Sequence, residues 1–129
     1  GVNGARAEAE QGFPHIVQVS MPMLKRSRAC GLAENEAQLH SLLALIASLD
    51  DTCILHRGGP EALIFAKKQA ALVLSSGRLE MLKTLNEEFT KLNISPGGSA
   101  DMLAATLFLD KIQGLLIGDE GLKKVGSTQ

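Results

Sequence analysis

Tryptophan and tyrosine are absent from this chain, phenylalanine occurs only four times and cysteine twice, and neither sign of charge dominates. Each shortage removes a class of function. With so few aromatic rings there is little on which single-stranded bases could stack. Thirteen basic against fourteen acidic residues give a net charge of −1, so no basic field is available to hold a phosphate backbone, and nucleic acid is not expected as a partner. Cys30 and Cys53 are not in a CxxC or related spacing, which argues against a zinc site or a disulfide framework and for a reduced, cytoplasmic protein. The longest apolar runs, such as MLAATLFL, are too short to span a bilayer, and GVNGARAEAE lacks the basic-then-apolar order of a signal peptide. Neither export nor a membrane is expected.

What is present is an ordinary globular balance: 129 residues, 45% hydrophobic and 21% charged, suit one domain with a core of its own. From Glu34 the positions Leu39, Leu42, Leu43, Leu45, Ile46 and Leu49 recur at helical spacing, and no glycine or proline intervenes before Gly58. The pattern predicts a buried helix that runs on into the stretch DDTCILHRGG. Gly59-Pro60-Glu61 then reads as a new helix start, with proline at the first helical position, and Ser75-Ser76-Gly77 as its end. A further helix is predicted from about Leu79 to Leu92, with Leu79, Leu82, Leu85, Phe89 and Leu92 on one stripe. After the breaker Asn93 to Gly98, Ser99 or a neighbour can cap a helix from Ala100 towards Ile117. Near the start of the chain, Phe13, Ile16, Val17, Val19, Met21 and Leu24 suggest a helix from about Pro14 to Ala29, open to a kink because Pro14 and Pro22 interrupt it. No strand alternation persists, so the fold class is all-α: an antiparallel bundle of about five helices with short loops. Residues 1–117 form it, and 118–129 read as a polar, glycine-containing tail expected to be flexible.

Three polar clusters fall at the predicted helix ends. In DDTCILHRGG, Asp50 and Asp51 would sit where a helix C-terminus is already partly negative, so a compensating cation is needed. Three-and-four spacing puts Arg57 on the face of Asp50, which it could neutralise. For Asp51 a hard divalent cation such as magnesium, shared with substrate phosphates, is the other reading, and both stay open. Cys53 and His56 share a face, but two potential ligands do not make a metal site. In Ser95-Pro96-Gly97-Gly98-Ser99-Ala100-Asp101 the glycines before a helix start could let backbone N–H groups converge on a phosphate, or could form only a turn; no GKS or GKT is present. Asp101 there is a cap or a second magnesium ligand. Arg6, Glu8 and Glu10 precede Gly12-Phe13-Pro14, where charges near a chain start are usually solvated. Met21, Met23, Met81 and Met102 lie among apolar positions and read as core filler.

Taken together, GARAEAEQGFP, DDTCILHRGG and NISPGGSADMLAATLFL, in this order and spacing, resemble the C-terminal half of the triphosphoribosyl-dephospho-CoA synthase family. Its members show a G-x-R-G-E segment leading to G-F, then D-T-N followed by R-G-G, then S-P-G-G-S-A-D before an apolar helix. The resemblance implies an all-helical, Mg2+-dependent transferase that joins ATP to 3′-dephospho-CoA with release of adenine. Its product is the prosthetic-group precursor of the acyl carrier protein of citrate lyase or malonate decarboxylase.

Carried over by motif, Asp51 matches the family's D-T acid and is assigned to magnesium or to general-base work. Arg57, Gly58 and Gly59 match R-G-G and are assigned to phosphate. Ser95, Gly97, Gly98 and Ser99 supply further phosphate donors, and Asp101 is a metal ligand or cap. Arg6 and Glu8 match the first motif, Arg6 as a substrate contact and Glu8 as a catalytic group. Cys53 stands where the family usually has Asn, and Ala7 where it usually has Gly. Family members also carry an N-terminal half, so this chain is expected to expose apolar surface and to self-associate or bind a partner chain. The alternative is a non-catalytic helical nucleotide-binding or assembly module on the same fold.

Overall fold

A computed structural model describes residues 14–78 and 80–128, with side chains through Leu116. The π-helical turn Ile16–Ser20 runs directly into α-helical Met21–Ala29, and the two together are α1. Then follow α2 (Glu34–Ser48), α3 (Thr52–Ser76), α4 (Met81–Lys91) and α5 (Gly97–Thr128), with no strand among the described residues. The all-α bundle is therefore the observed architecture. No single helix among the described residues is long and apolar enough to cross a membrane.

The kink open at Pro22 takes a specific form. Proline has no N–H, and its ring presses on the carbonyl four residues back, so an unbroken α-helical ladder cannot pass through it. The preceding turn widens instead, and the Met21 N–H donates to the Ile16 carbonyl, five residues back. On this segment the Ser20 carbonyl accepts a hydrogen bond of 2.8 Å from Ser41 Oγ of α2. Thr106 of α5 donates to the Met102 carbonyl at 2.7 Å, which uses its only hydroxyl proton. The 2.7 Å contact between Ser20 Oγ and Thr106 Oγ1 is then donated by Ser20. Ser20, Ser41 and Thr106 are fully buried, so this chain of hydroxyls fastens α1 to α2 and α5 inside the bundle.

Helix α2 is the central element, because its side chains face a core on either side. Leu43 and Ile46 pack with Ile54, Leu63, Ala66, Ala70 and Val73 of α3, Leu85 and Phe89 of α4, and Ile94. On the other side Leu45 packs with Ile16 and Met21 of α1 and Met102 of α5. Burying a side chain such as Leu45 is worth about 1.5–3 kcal/mol, enough that the two cores dominate over any surface ion pair. Met21 and Met102 are core filler as expected, whereas Met81 is exposed.

The helix stops follow from residues that tolerate positive φ. Gly31 (φ 86) and Gly77 (φ 68) end α1 and α3, and Asn93 (φ 57) ends α4. At the last of these the Ile94 N–H reaches back to the Phe89 carbonyl at 2.8 Å. Helix α5 starts at Gly97 rather than Ala100 and continues to Thr128, past Ile117. A lone glycine in a helix costs only about 1 kcal/mol, so Gly118 without a following proline does not stop it.

Arg28 ties three helices at the surface. Its Nε and Nη2 bond the two oxygens of Glu34 at 2.9 and 2.6 Å, and Nη1 bonds Asp110 Oδ2 of α5 at 2.8 Å. The bidentate hydrogen bonds from Arg28, helped by one from Gln38, hold the Glu34 carboxyl down from 4.5 to about 2. A carboxylate with a depressed folded-state pKa stabilises the fold above its unfolded pKa and loses that contribution as pH falls through the folded value. Because Glu34 is half exposed, solvent screening keeps its worth below about 1 kcal/mol. The stability difference between wild type and Glu34→Gln should therefore be constant above about pH 5 and fall away towards pH 2, as read by urea titrations at each pH.

Candidate functional site

The long helix expected from Glu34 through DDTCILHRGG is broken in the middle. Leu49 (ψ 138) and Asp51 (ψ 112) are extended, so Asp51 lies at the N-terminus of α3 and not at a C-terminus. Its side chain accepts from the Cys53 N–H at 2.9 Å and the Ile54 N–H at 3.3 Å, an N-cap. The first turn of α5 meets the same carboxylate. The Gly98 N–H donates to Oδ1 at 3.2 Å, and the Ser99 N–H and Oγ donate to Oδ2 at 2.7 and 2.8 Å. One buried carboxylate thus caps two helices, and the residue that caps α5 is 48 positions upstream of Ser99.

This geometry answers the charge question raised by the two acids. Asp51 is compensated by the positive ends of two helix dipoles converging on it. Asp50 is paired with Lys67 of α3, Nζ to Oδ1 at 2.6 Å, and not with Arg57. The pairing expected from three-and-four spacing fails because the chain is not helical at Asp50. The anion cradle expected at Gly97 to Ser99 does form, but a carboxylate of the chain itself fills it. Gly98 and Ser99 spend their donors on Asp51, so they hold no external phosphate in this arrangement. The close approach also explains the glycines: a Cβ at Gly98 would lie 3.0 Å from Asp51 Oδ1, and one at Gly97 would lie 2.9 Å from Cys53 Sγ.

The glycines of R-G-G have a comparable structural reason. Gly59 has φ 78 and ψ −177, a region essentially restricted to glycine, and it breaks α3 internally just before Pro60. The helix start expected at Gly59-Pro60 is present as this kink. A Cβ at Gly58 would fall 2.5 Å from the Ala62 Cβ. Beside the kink, Gly58 lines a cleft of about 320 Å³ with Glu61, Ala62, Phe65, Leu92 and Ile94.

Because Asp51 holds the two helix starts together, residues from separate motifs meet. Cys53, His56 and Arg57 of α3 and Ser95 of the loop before α5 line a cleft of about 230 Å³. All four are exposed, and no described residue forms an ion pair with Arg57. A free guanidinium at the mouth of a small cleft is suited to bidentate contact with phosphate oxygens. Asp101 is exposed on the first turn of α5. Cys30 and Cys53 are both free thiols. Arg6 and Glu8 lie outside the described residues.

Magnesium does not fit at Asp51. Both oxygens face N–H and O–H donors, the residue has no solvent exposure, and a cation there would meet the positive ends of those donors. No group of three His, Cys, Asp or Glu side chains among the described residues is arranged to hold a metal ion. The break at Asp51 was readable in principle, since Leu-Asp-Asp-Thr before an apolar run is an N-cap pattern. The role of His56 as a cleft residue had no such signal, because it depends on where Ser95 returns.

The structure is thus an all-helical domain with two helix starts locked on one acid and an arginine-bearing cleft beside them. The chain belongs to the ATP:dephospho-CoA triphosphoribosyl transferase family, which it matches over residues 1–118. It is 47% identical over 122 residues to a probable 2-(5″-triphosphoribosyl)-3′-dephosphocoenzyme-A synthase of Azotobacter vinelandii, covering 90% of this chain and 42% of the relative. Against the 2-(5″-triphosphoribosyl)-3′-dephosphocoenzyme-A synthase of Klebsiella pneumoniae it is 46% identical over 119 residues, covering 88% of this chain and 42% of that protein. The chain thus spans less than half the length of these relatives. No solved structure matches it.

Asp51→Ala should lower the unfolding free energy by about 3 kcal/mol or more, the sum of a lost cap on each helix and buried donors left unpaired. Asp51→Asn keeps one acceptor oxygen and should cost roughly half as much. Urea denaturation followed by circular dichroism measures both, and an Asn variant as stable as wild type would show that the second oxygen contributes nothing.

Proposed function

We propose that this chain carries the phosphate-facing helix junction of a triphosphoribosyl-transfer enzyme acting on ATP and 3′-dephospho-CoA. In that reaction a ribose hydroxyl of dephospho-CoA attacks the anomeric carbon of the ATP ribose. The new C–O bond forms as the C–N bond to adenine breaks, the adenine takes the bonding electrons and a proton, and the triphosphate stays on the transferred ribose. Such a site needs cations aimed at phosphate oxygens.

Arg57 is the residue best placed for this work, exposed at a cleft that Ser95 completes. His56 in the same cleft is available for proton transfer. Asp51 is a positioning residue in this reading: saturated by its five donors, it takes no proton from substrate, and it sets the spacing between Arg57 and Ser95. Magnesium arrives with the triphosphate and not in a protein cage, as is usual for this hydrated cation. The observation that carries the reading is the convergence of Arg57 and Ser95, from two motifs far apart in the chain, within a chain whose family is known. A non-catalytic nucleotide-binding module is the second reading, favoured by Cys53, which lines the cleft where the resemblance leads one to expect Asn.

Incubated with ATP, magnesium and dephospho-CoA, the chain should release adenine only when the rest of a relative's length is supplied with it. No adenine in either case, with folded protein and bound ATP, overturns the catalytic reading and leaves the binding module. Arg57→Ala should weaken ATP binding about tenfold or more while leaving helicity unchanged, since a charge-assisted contact is worth about 1.5–3 kcal/mol. Calorimetric titration of ATP measures it.

A further inference from the structure

Helix α5 changes character along its length. Up to Asp110 its inward positions are covered by α1 and α2, with Met102 and Thr106 buried and Leu103, Ala105 and Leu109 partly so. From Lys111 to Leu116 every residue is exposed. Apolar residues continue into that segment: Ile112 is 36% exposed, Leu115 68% and Leu116 60%, and Phe108, on the outward face just before it, 65%. At helical spacing Ala105, Leu109, Ile112 and Leu116 form one stripe, with Phe108 and Leu115 on its flank. Ile112 and Leu116 thus prolong the partly buried Ala105 and Leu109 edge of the same helix beyond the point where this chain covers it, and Phe108 and Leu115 lie on the adjoining face.

The stripe is also broadened from α1. Val17 is 66% exposed, and with Ile16, Met21, Pro22, Lys25, Leu109 and Gln113 it lines a shallow groove of about 310 Å³ alongside α5. Only Lys25 in this groove carries a charge. A contiguous apolar surface of this kind marks an interface, whereas single exposed apolar residues do not.

We propose that this stripe and groove are the seat of the polypeptide that makes up the rest of the family fold. The inference rests on the family assignment, and the length of the relatives names the occupant: more than half of each lies outside the region this chain matches. A domain's helix is apolar on the side it buries, so the uncovered end of α5 requires an apolar partner face from that remaining length. A further groove, between α2 and α4, is a pocket of about 300 Å³ lined largely by this chain's own core cluster.

The test is co-expression of this chain with the segment of the Azotobacter vinelandii relative that lies outside the match, followed by affinity capture and light scattering. Wild type should capture the segment as a complex of defined mass. The double variant Ile112→Glu, Leu116→Glu should capture at least tenfold less and keep wild-type helicity and thermal unfolding, because both side chains are exposed. Leu72→Glu, exposed on α3, should capture as wild type does. Failure of wild type to capture the segment, or equal capture by the double variant, overturns the proposal. So does a homodimer of this chain that the double variant dissolves while no segment is captured, since the occupant is then a second copy. Capture is read without activity, so a complex that releases no adenine counts against the catalytic reading and not against this one.

Discussion

Everything that gives this domain its site depends on one carboxylate. Asp51 sits at zero exposure between the first turns of two helices and accepts five hydrogen bonds, two from its own helix and three from the other. A buried charge is tolerable only where its lone pairs are satisfied, and here the donors are backbone and hydroxyl groups that would otherwise have been orphaned themselves. The same atoms that remove the cost of burying the acid remove the cost of starting two helices. Arg57 and Ser95 are brought to a common cleft as a result, and Cys53 of the same cleft donates its N–H to Asp51.

The polar interior elsewhere follows a comparable logic at lower charge. Pro22 forces a wide turn in α1, and the turn's Ser20 becomes the meeting point of hydroxyls from α2 and α5. A helix defect and a set of small buried polar residues are thus one feature, and no described buried side-chain polar atom is left without a partner. These contacts orient α5 against α1 and α2, while the two apolar clusters around α2 supply the larger share of the stability.

The legibility of the sequence varied with distance along the chain. Where a residue type decides local geometry the reading held: Gly77 ends a helix because it takes positive φ, and Gly59-Pro60 breaks one for the same reason. Helical periodicity likewise located α2 and α4. It failed at Leu49 to Asp51, because the apolar spacing continues on both sides of the break and the decisive partner, Ser99, is far away in sequence. The cluster at Gly97 to Ser99 was recognised as a converging set of donors, yet its anion was supplied by the chain. Spacing predicted Arg57 as the partner of Asp50, and a non-helical backbone handed that acid to Lys67. Local rules see propensity and period; they do not see which remote group will arrive.

The contact between Asp51 and Gly98 has a consequence for how such a chain can change over generations. A side chain at 98 would press on the carboxylate oxygens, and loss of the carboxylate would strand the N–H groups at 98 and 99. Either position altered first passes through a less stable protein, so the two are held as a pair. The junction is therefore a place where sequence drift is blocked from both directions, and a descendant that solved it differently would have to rebuild both helix starts at once.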